Sequence, residues 1–200
     1  MLNFIAAFKN KPVIFVLLMA FIAGNAFAQT AGESEKLVKN LNLIKGPVVV
    51  TGLKNSRQTI KFNEKFVQGA DWLNDLTITI KNLSDKPITY IHVDLDFPET
   101  INTGSIMAFP LFYGTMSPEP AKDKKLESIE PGGLLELKLD EKTLKRLRNF
   151  IETRQPLDNV MELGIRINLI LFDDDTGWNG SIVRRDPNNP RRFVPIEQDK

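Results

Sequence analysis

The sequence predicts a mostly β chain, folded as a two-sheet antiparallel sandwich with one inserted amphipathic helix. Three observations carry that expectation. Apolar and polar residues alternate over 76–81, 91–97 and 163–171, and alternation of this kind marks a strand with one buried face. Clusters of Pro, Gly, Asn, Asp and Ser separate the runs at short intervals, as turns do in all-β chains. One stretch, from Leu144 to Ile151, follows the helical period instead.

The chain opens with an address rather than a fold. Residues 1–28 hold no acid; Lys9 and Lys11 precede an apolar run from Pro12 to Ala23, and Ala26-Phe27-Ala28 follows. A basic lead, a short apolar run and an Ala-x-Ala site are the parts of a signal peptide. The run is about 12 residues, where a spanning helix needs roughly 20. Cleavage after Ala28 leaves 172 of the 200 residues, beginning at Gln29. The protein is therefore expected outside the cytoplasm, periplasmic or secreted, touching a membrane only through the signal peptide before cleavage.

Residues 29–46 read as a flexible, polar N-terminal lead, in which Leu37, Leu41 and Ile44 allow a short helix. A single domain is expected over 47–195, with a polar tail at 196–200. Val48-Val49-Val50 opens the β pattern and 59–62 alternates weakly. Leu76, Ile78 and Ile80 share one strand face; Ile91, Val93, Leu95 and Phe97 share another, and Ser84-Asp85-Lys86-Pro87 between them reads as a hairpin turn. Residues 107–113 form an apolar strand interrupted at Pro110, and 117–125 a solvated loop. Pro131-Gly132-Gly133 turns into a strand carrying Leu135, Leu137 and Leu139.

Asp140 is placed to cap the helix, Glu141 suits its positive end, and Pro156 stops it. Lys145, Arg146, Arg148 and Arg154 occupy its outer faces, which fits a solvated cationic surface better than a binding helix. In the last hairpin, Leu163, Ile165, Ile167, Leu169 and Leu171 are expected on one face, Asp173-Asp174-Asp175-Thr176-Gly177 forms the turn, and 178–184 returns. Asp186-Pro187-Asn188-Asn189-Pro190 then breaks the sheet. Seven to eight short strands in this order suggest an immunoglobulin-like antiparallel β-sandwich with one inserted amphipathic helix.

Three segments carry a family resemblance across roughly 73–184. Residues 81–91, Ile129-Glu130-Pro131-Gly132-Gly133 with its following leucines, and Phe172-Asp173-Asp174-Asp175-Thr176-Gly177-Trp178 resemble the strands of exported bacterial immunoglobulin-like domains, a group of uncharacterised proteins. The resemblance implies the fold and the export, and no reaction. Asp175 stands where that group's tight turn has glycine.

Composition narrows the chemistry. The chain has no cysteine, one histidine and a net charge of +1, which becomes −1 once Lys9 and Lys11 leave with the leader. Disulfides, thiolate sites and two-imidazole metal sites are excluded, and the charge argues against nucleic acid. Asp173, Asp174 and Asp175 could hold calcium through oxygen ligands, but they lack the EF-hand spacing and read more simply as a solvated turn. His92 lies among polar strand residues with no Gly-x-Ser-x-Gly elbow in the chain. Asp94 and Asp96 share a strand face about 7 Å apart, a spacing usable by a hydrolase but also that of solvated edge charges. Trp72, Trp178, Tyr90 and Tyr113 could offer a carbohydrate platform or simply pack. Arg184, Arg185, Arg191 and Arg192 form the densest basic feature and are expected to pair with the nearby acids. Asn82-Leu83-Ser84 and Asn179-Gly180-Ser181 match the N-glycosylation pattern.

The functional expectation is an exported, non-catalytic binding or structural domain acting in the bacterial envelope or outside the cell. Its candidate ligand surface is Trp178, Asp173, Asp174, Asp175, Arg184 and Arg185, its partner an envelope protein or polymer, and no cofactor or metal is expected. The alternative is a hydrolase with carboxylates near Asp94 and Asp96 or at the 173–175 turn.

Overall fold

The computed structural model describes residues 32–42, 45–116 and 128–196. The signal-peptide segment, the start of the lead, the loop expected at 117–125 and most of the polar tail lie outside the described residues. Among the described residues the chain is mostly β, with two sheets, one α-helix and no closed barrel. The strands are β1 (Ser34–Asn40), β2 (Val48–Lys54), β3 (Lys65–Gln68), β4 (Thr77–Asn82), β5 (Ile88–Phe97), β6 (Met107–Gly114), β7 (Leu134–Lys138), β8 (Glu162–Phe172), β9 (Thr176–Trp178), β10 (Ile182–Asp186) and β11 (Asn189–Pro195). The helix, α1 (Glu141–Ile151), lies between β7 and β8 in the chain.

The smaller sheet has the order β2-β4-β7. In the larger one β5 pairs with β6 on one side and β8 on the other, and β8 then shares its far edge between β1, which is parallel to it, and β9. Side chains from both sheets meet in one apolar core: Val50, Ile78, Ile80 and Leu137 from the smaller, Ile91, Val93, Leu95, Leu163 and Ile165 from the larger. Asp140 caps α1 as expected, its carboxylate accepting the Thr143 N–H at 2.8 Å, and Leu147 and Ile151 enter the same core.

Several expectations are corrected. The lead is not flexible across 34–40 and forms no helix there: Lys36 and Val38 are buried in β1, and Ile44 lies outside the described residues. The weak alternation at 59–62 is a single bridge, Lys54 to Thr59, while β3 lies further on. Asp186 to Pro190 does not break the sheet but turns β10 into β11. Pro110 does not interrupt β6, which is a sheet edge where the missing N–H costs no ladder bond.

The most consequential correction concerns β4 and β5. They are not a hairpin, because they belong to different sheets. The turn at 84–87 is a crossover held by Asn82, which is 1% exposed. Its amide donates to the carbonyls of Lys86 at 2.9 Å and Ile129 at 2.8 Å, and its oxygen accepts the Ser84 N–H at 2.9 Å. A side chain so placed offers no glycan acceptor in the folded state, although it stands in an Asn-x-Ser pattern.

β8 also departs from simple alternation. Its register against β5 shifts between His92 and Val93, which face Leu169 and Ile167, so Asn168 is the extra residue of a bulge. Beyond it the faces exchange. Ile170 joins the core, while Leu169 and Leu171 turn away from the face of Leu163, Ile165 and Ile167.

Ile165→Ala is expected to cost about 2–5 kcal/mol, because it removes fully buried volume. Thr79→Ala, half-exposed in β4, should stay within about 0.5 kcal/mol. Urea midpoints lowered equally by the two changes would contradict the assigned faces.

Candidate functional site

The β8–β9 turn spans Asp173–Asp175. Asp175 adopts φ 61, so it fills the left-handed position where glycine was expected; Asp tolerates this region better than most residues. Arg185 holds it there. The guanidinium Nε donates to the Asp175 carboxylate at 2.9 Å, and the Arg185 N–H donates to the Asp175 carbonyl at 3.0 Å. The same guanidinium reaches the carbonyls of Met116 and Pro190 and lies 4.9 Å from the Phe193 ring centre. Arg185 is a clamp within the fold, whereas Arg184 is exposed.

Asp174 has a different partner. Its carboxylate accepts from Lys86 Nζ at 2.6 Å and from the Thr176 N–H at 3.0 Å. Partial burial alone would raise this carboxyl; the bonds from Lys86 and Thr176 outweigh it and hold the group below the usual aspartate range. The three acids therefore do not converge. Asp174 and Asp175 each answer a separate cation, and among the described residues no group of three metal-ligating side chains is gathered.

Beside this turn lies an open cleft of about 570 Å³. Three segments distant in sequence form it: the approach to β2, the β4–β5 crossover, and the β8–β9 turn with the start of β10. Phe172, Trp178, Pro47 and Ile182 supply its apolar wall. Lys86 closes one side, held by Asp174 and lying 5.6 Å from the Phe172 ring centre. Gly46 passes close to the indole, since a Cβ there would meet Trp178 Cη2 at 3.5 Å. Of the expected surface, Trp178 lines this cleft, Asp174 braces it, and Asp173, Asp175, Arg184 and Arg185 do not line it.

The other expected aromatics pack. Trp72 is fully buried and its indole N–H donates to the Val160 carbonyl at 2.9 Å. Tyr90 is buried, with burial first and the Asp94 charge second pushing its phenol pKa up. Tyr113 packs against the core.

Asp94 and Asp96 are not solvated edge charges, because β5 is an interior strand and both are buried. His92 Nε2 lies 2.9 Å from Asp94 Oδ1, Asn168 donates to Asp94 Oδ2 at 2.9 Å, and Arg166 pairs with Asp96 at 2.9 Å. Phe112 lies over His92 with ring centres 4.8 Å apart. This polar strip joins β5 to β8 across the bulge, and it is distinct from the cleft, whose lining includes none of these residues.

In comparisons with known proteins, the chain matches no family model, no curated protein and no solved structure. Lys45, Asp85, Lys86 and Ile182 were missed as site residues. The local sequence carries no signal for them, since they meet only through the pairing of strands far apart in the chain.

The Lys86–Asp174 pair makes a pH prediction. The folded Asp174 carboxyl titrates below its unfolded value, so its contribution is complete above about pH 4 and is lost as pH falls through the folded pKa. Both side chains are more than a third exposed, which screens the pair to about 0.2–1 kcal/mol. Asp174→Asn, which keeps an acceptor for Thr176, should cost no more than that at neutral pH. Unfolding midpoints of parent and variant should converge on acidification; a constant gap across the acid range would contradict the assignment.

Proposed function

We propose that this chain is an exported, non-catalytic binding module of immunoglobulin-like architecture, acting in the bacterial envelope or outside the cell. The strand order supports the architecture. β2-β4-β7 opposite β6-β5-β8-β9 corresponds to strands A-B-E opposite C′-C-F-G of an immunoglobulin-like sandwich. On this reading α1 occupies the E–F connection, and β1, β3, β10 and β11 are additions. The leader over residues 1–28 supports export.

The observation that carries the binding role is the cleft beside Trp178, where partly exposed aromatic rings sit among polar groups. Apolar clefts with a few placed polar groups are the usual form of a ligand site. The hydrolase alternative has weaker support. Asp94 and Asp96 are committed to His92, Asn168 and Arg166, and Asp174 and Asp175 to Lys86 and Arg185.

Two measurements test the reading. Protein recovered from the native host's extracytoplasmic fraction should begin at Gln29; material that still begins at Met1 in the membrane fraction would overturn export. The purified mature chain should cosediment with isolated envelopes, whereas Ile182→Glu should remain in the supernatant with an unchanged unfolding midpoint, since Ile182 is 54% exposed. Equal cosedimentation of the two, or none by the parent, would overturn the binding role.

A further inference from the structure

We propose that the Trp178 cleft binds a short, neutral oligosaccharide; the inference rests on the binding role just proposed and names its ligand class. The argument begins with what the lining leaves unsatisfied. Lys86 is neutralised by Asp174. Asp85, Lys45 and Trp178 all line the cleft, and no side-chain hydrogen bond or ion pair ties any of the three to another described residue. The cleft therefore offers one free acceptor group and two free donors beside an apolar wall.

Charge excludes one class of ligand. With Lys86 paired, Lys45 and Asp85 leave the lining without net charge, so neither an anion nor a cation is favoured electrostatically. Polarity disfavours another. A wholly apolar ligand such as an acyl chain would cover the carboxylate, the ammonium and the indole N–H without bonding them, and unpaired polar groups are costly to desolvate.

A pyranose ring meets both conditions. Its axial C–H face is apolar and weakly positive, suited to the negative face of an indole or phenyl ring. Its equatorial hydroxyls each donate and accept, so neighbouring hydroxyls can reach a carboxylate and an N–H at once. Trp178 and Phe172 supply the rings, Asp85 the acceptor, and Trp178 and Lys45 the donors. The cleft volume of about 570 Å³ lies within the range of small-molecule sites and exceeds what one sugar ring fills. Its open side leaves room for a chain to continue past the bound rings.

The two tryptophans make the test direct. Trp72 is fully buried with its N–H bonded to Val160, so a ligand-induced change in indole fluorescence reports Trp178. The mature protein is titrated with cellotriose, maltotriose, laminaritriose and N,N′,N″-triacetylchitotriose. At least one should give a saturable fluorescence change, with matching binding heat by calorimetry. Asp85→Ala removes an exposed carboxylate and should weaken that sugar roughly tenfold with the unfolding midpoint unchanged. Trp178→Phe keeps an aromatic ring and should weaken it comparably by calorimetry. Absence of saturable binding by all four sugars, or full affinity in both variants, would overturn the proposal. If sugars fail while envelope cosedimentation still depends on Ile182, the ligand class falls and the binding role stands. If cosedimentation itself fails, the binding role falls first.

Discussion

The architecture depends on how one strand, β8, divides its far edge. One side of β8 pairs with β5 over nearly its whole length, while the other takes β1 at Glu162–Ile165 and β9 at Ile170–Leu171. Backbone groups in the gap between β1 and β9 must find other partners. Asn42 supplies them. Its side-chain oxygen accepts the Ile167 N–H at 2.6 Å, and its amide reaches the Ile165 carbonyl at 3.3 Å, which also accepts the Leu41 N–H. Without this substitute strand the fork would leave an open ladder beside the bulge. The start of β8 is fixed as firmly. The Val160 carbonyl accepts both the Trp72 indole N–H and the Lys36 ammonium, which also contacts Met161 Sδ at 3.2 Å. Burial lowers the pKa of Lys36, and the charges of Glu99 and Asp158 oppose that shift.

The bulge at Asn168 gives the outside of the large sheet two characters. Up to and including it, Arg166 and Asn168 face the Asp94 and Asp96 carboxylates, so the surface is polar and internally paired. After it, Leu171 lies on the outer side, buried like Tyr90 and Val183 although all three stand outside the main core. Gly177 lets these layers close: a Cβ there would come within 2.5 Å of the Ile170 carbonyl oxygen and 2.8 Å of a Leu171 methyl. The extra residue in β8 thus lets one strand serve the main core along its length while turning Leu171 to the other side, where Leu171 and Val183 both flank Gly177.

Much of this was legible in the sequence where a short segment decides its own geometry. Asp140, Leu147, Ile151 and Pro156 define α1 by capping, period and termination, and Ile78, Ile80, Val93 and Leu95 declare a buried face by alternation. Pairing is another matter. Alternation states that a strand has an inside, not which sheet it joins, so β4 and β5 read as a hairpin across a short turn. Asn82 decides otherwise through Ile129, 47 residues away. β1 was illegible for a similar reason: Ser34–Asn40 holds two lysines and an asparagine, and only Met161, Val160 and Trp72 make a buried site for Lys36. The bulge at Asn168 has no local signature, since 163–171 alternates through it.

The same division explains which part of the expected ligand surface survived. Sequence proximity grouped Trp178 with three acids and two arginines, as if the hairpin tip acted alone. In the fold the acids separate by partner. Asp175 and Arg185 satisfy each other and, through Met116, Pro190 and Phe193, fasten β10 and β11 to the rest of the fold. Asp174 instead restrains Lys86 against Phe172, which removes a free charge from the cleft. Once these pairs form, the charged residues that line the cleft without an ion pair among the described residues are those the crossover and the approach to β2 contribute, Asp85 and Lys45. The β4–β5 crossover therefore does two things through one turn: Asn82 sends the chain from one sheet to the other, and the residues that make the passage place Asp85 in the lining of the cleft that Trp178 also lines.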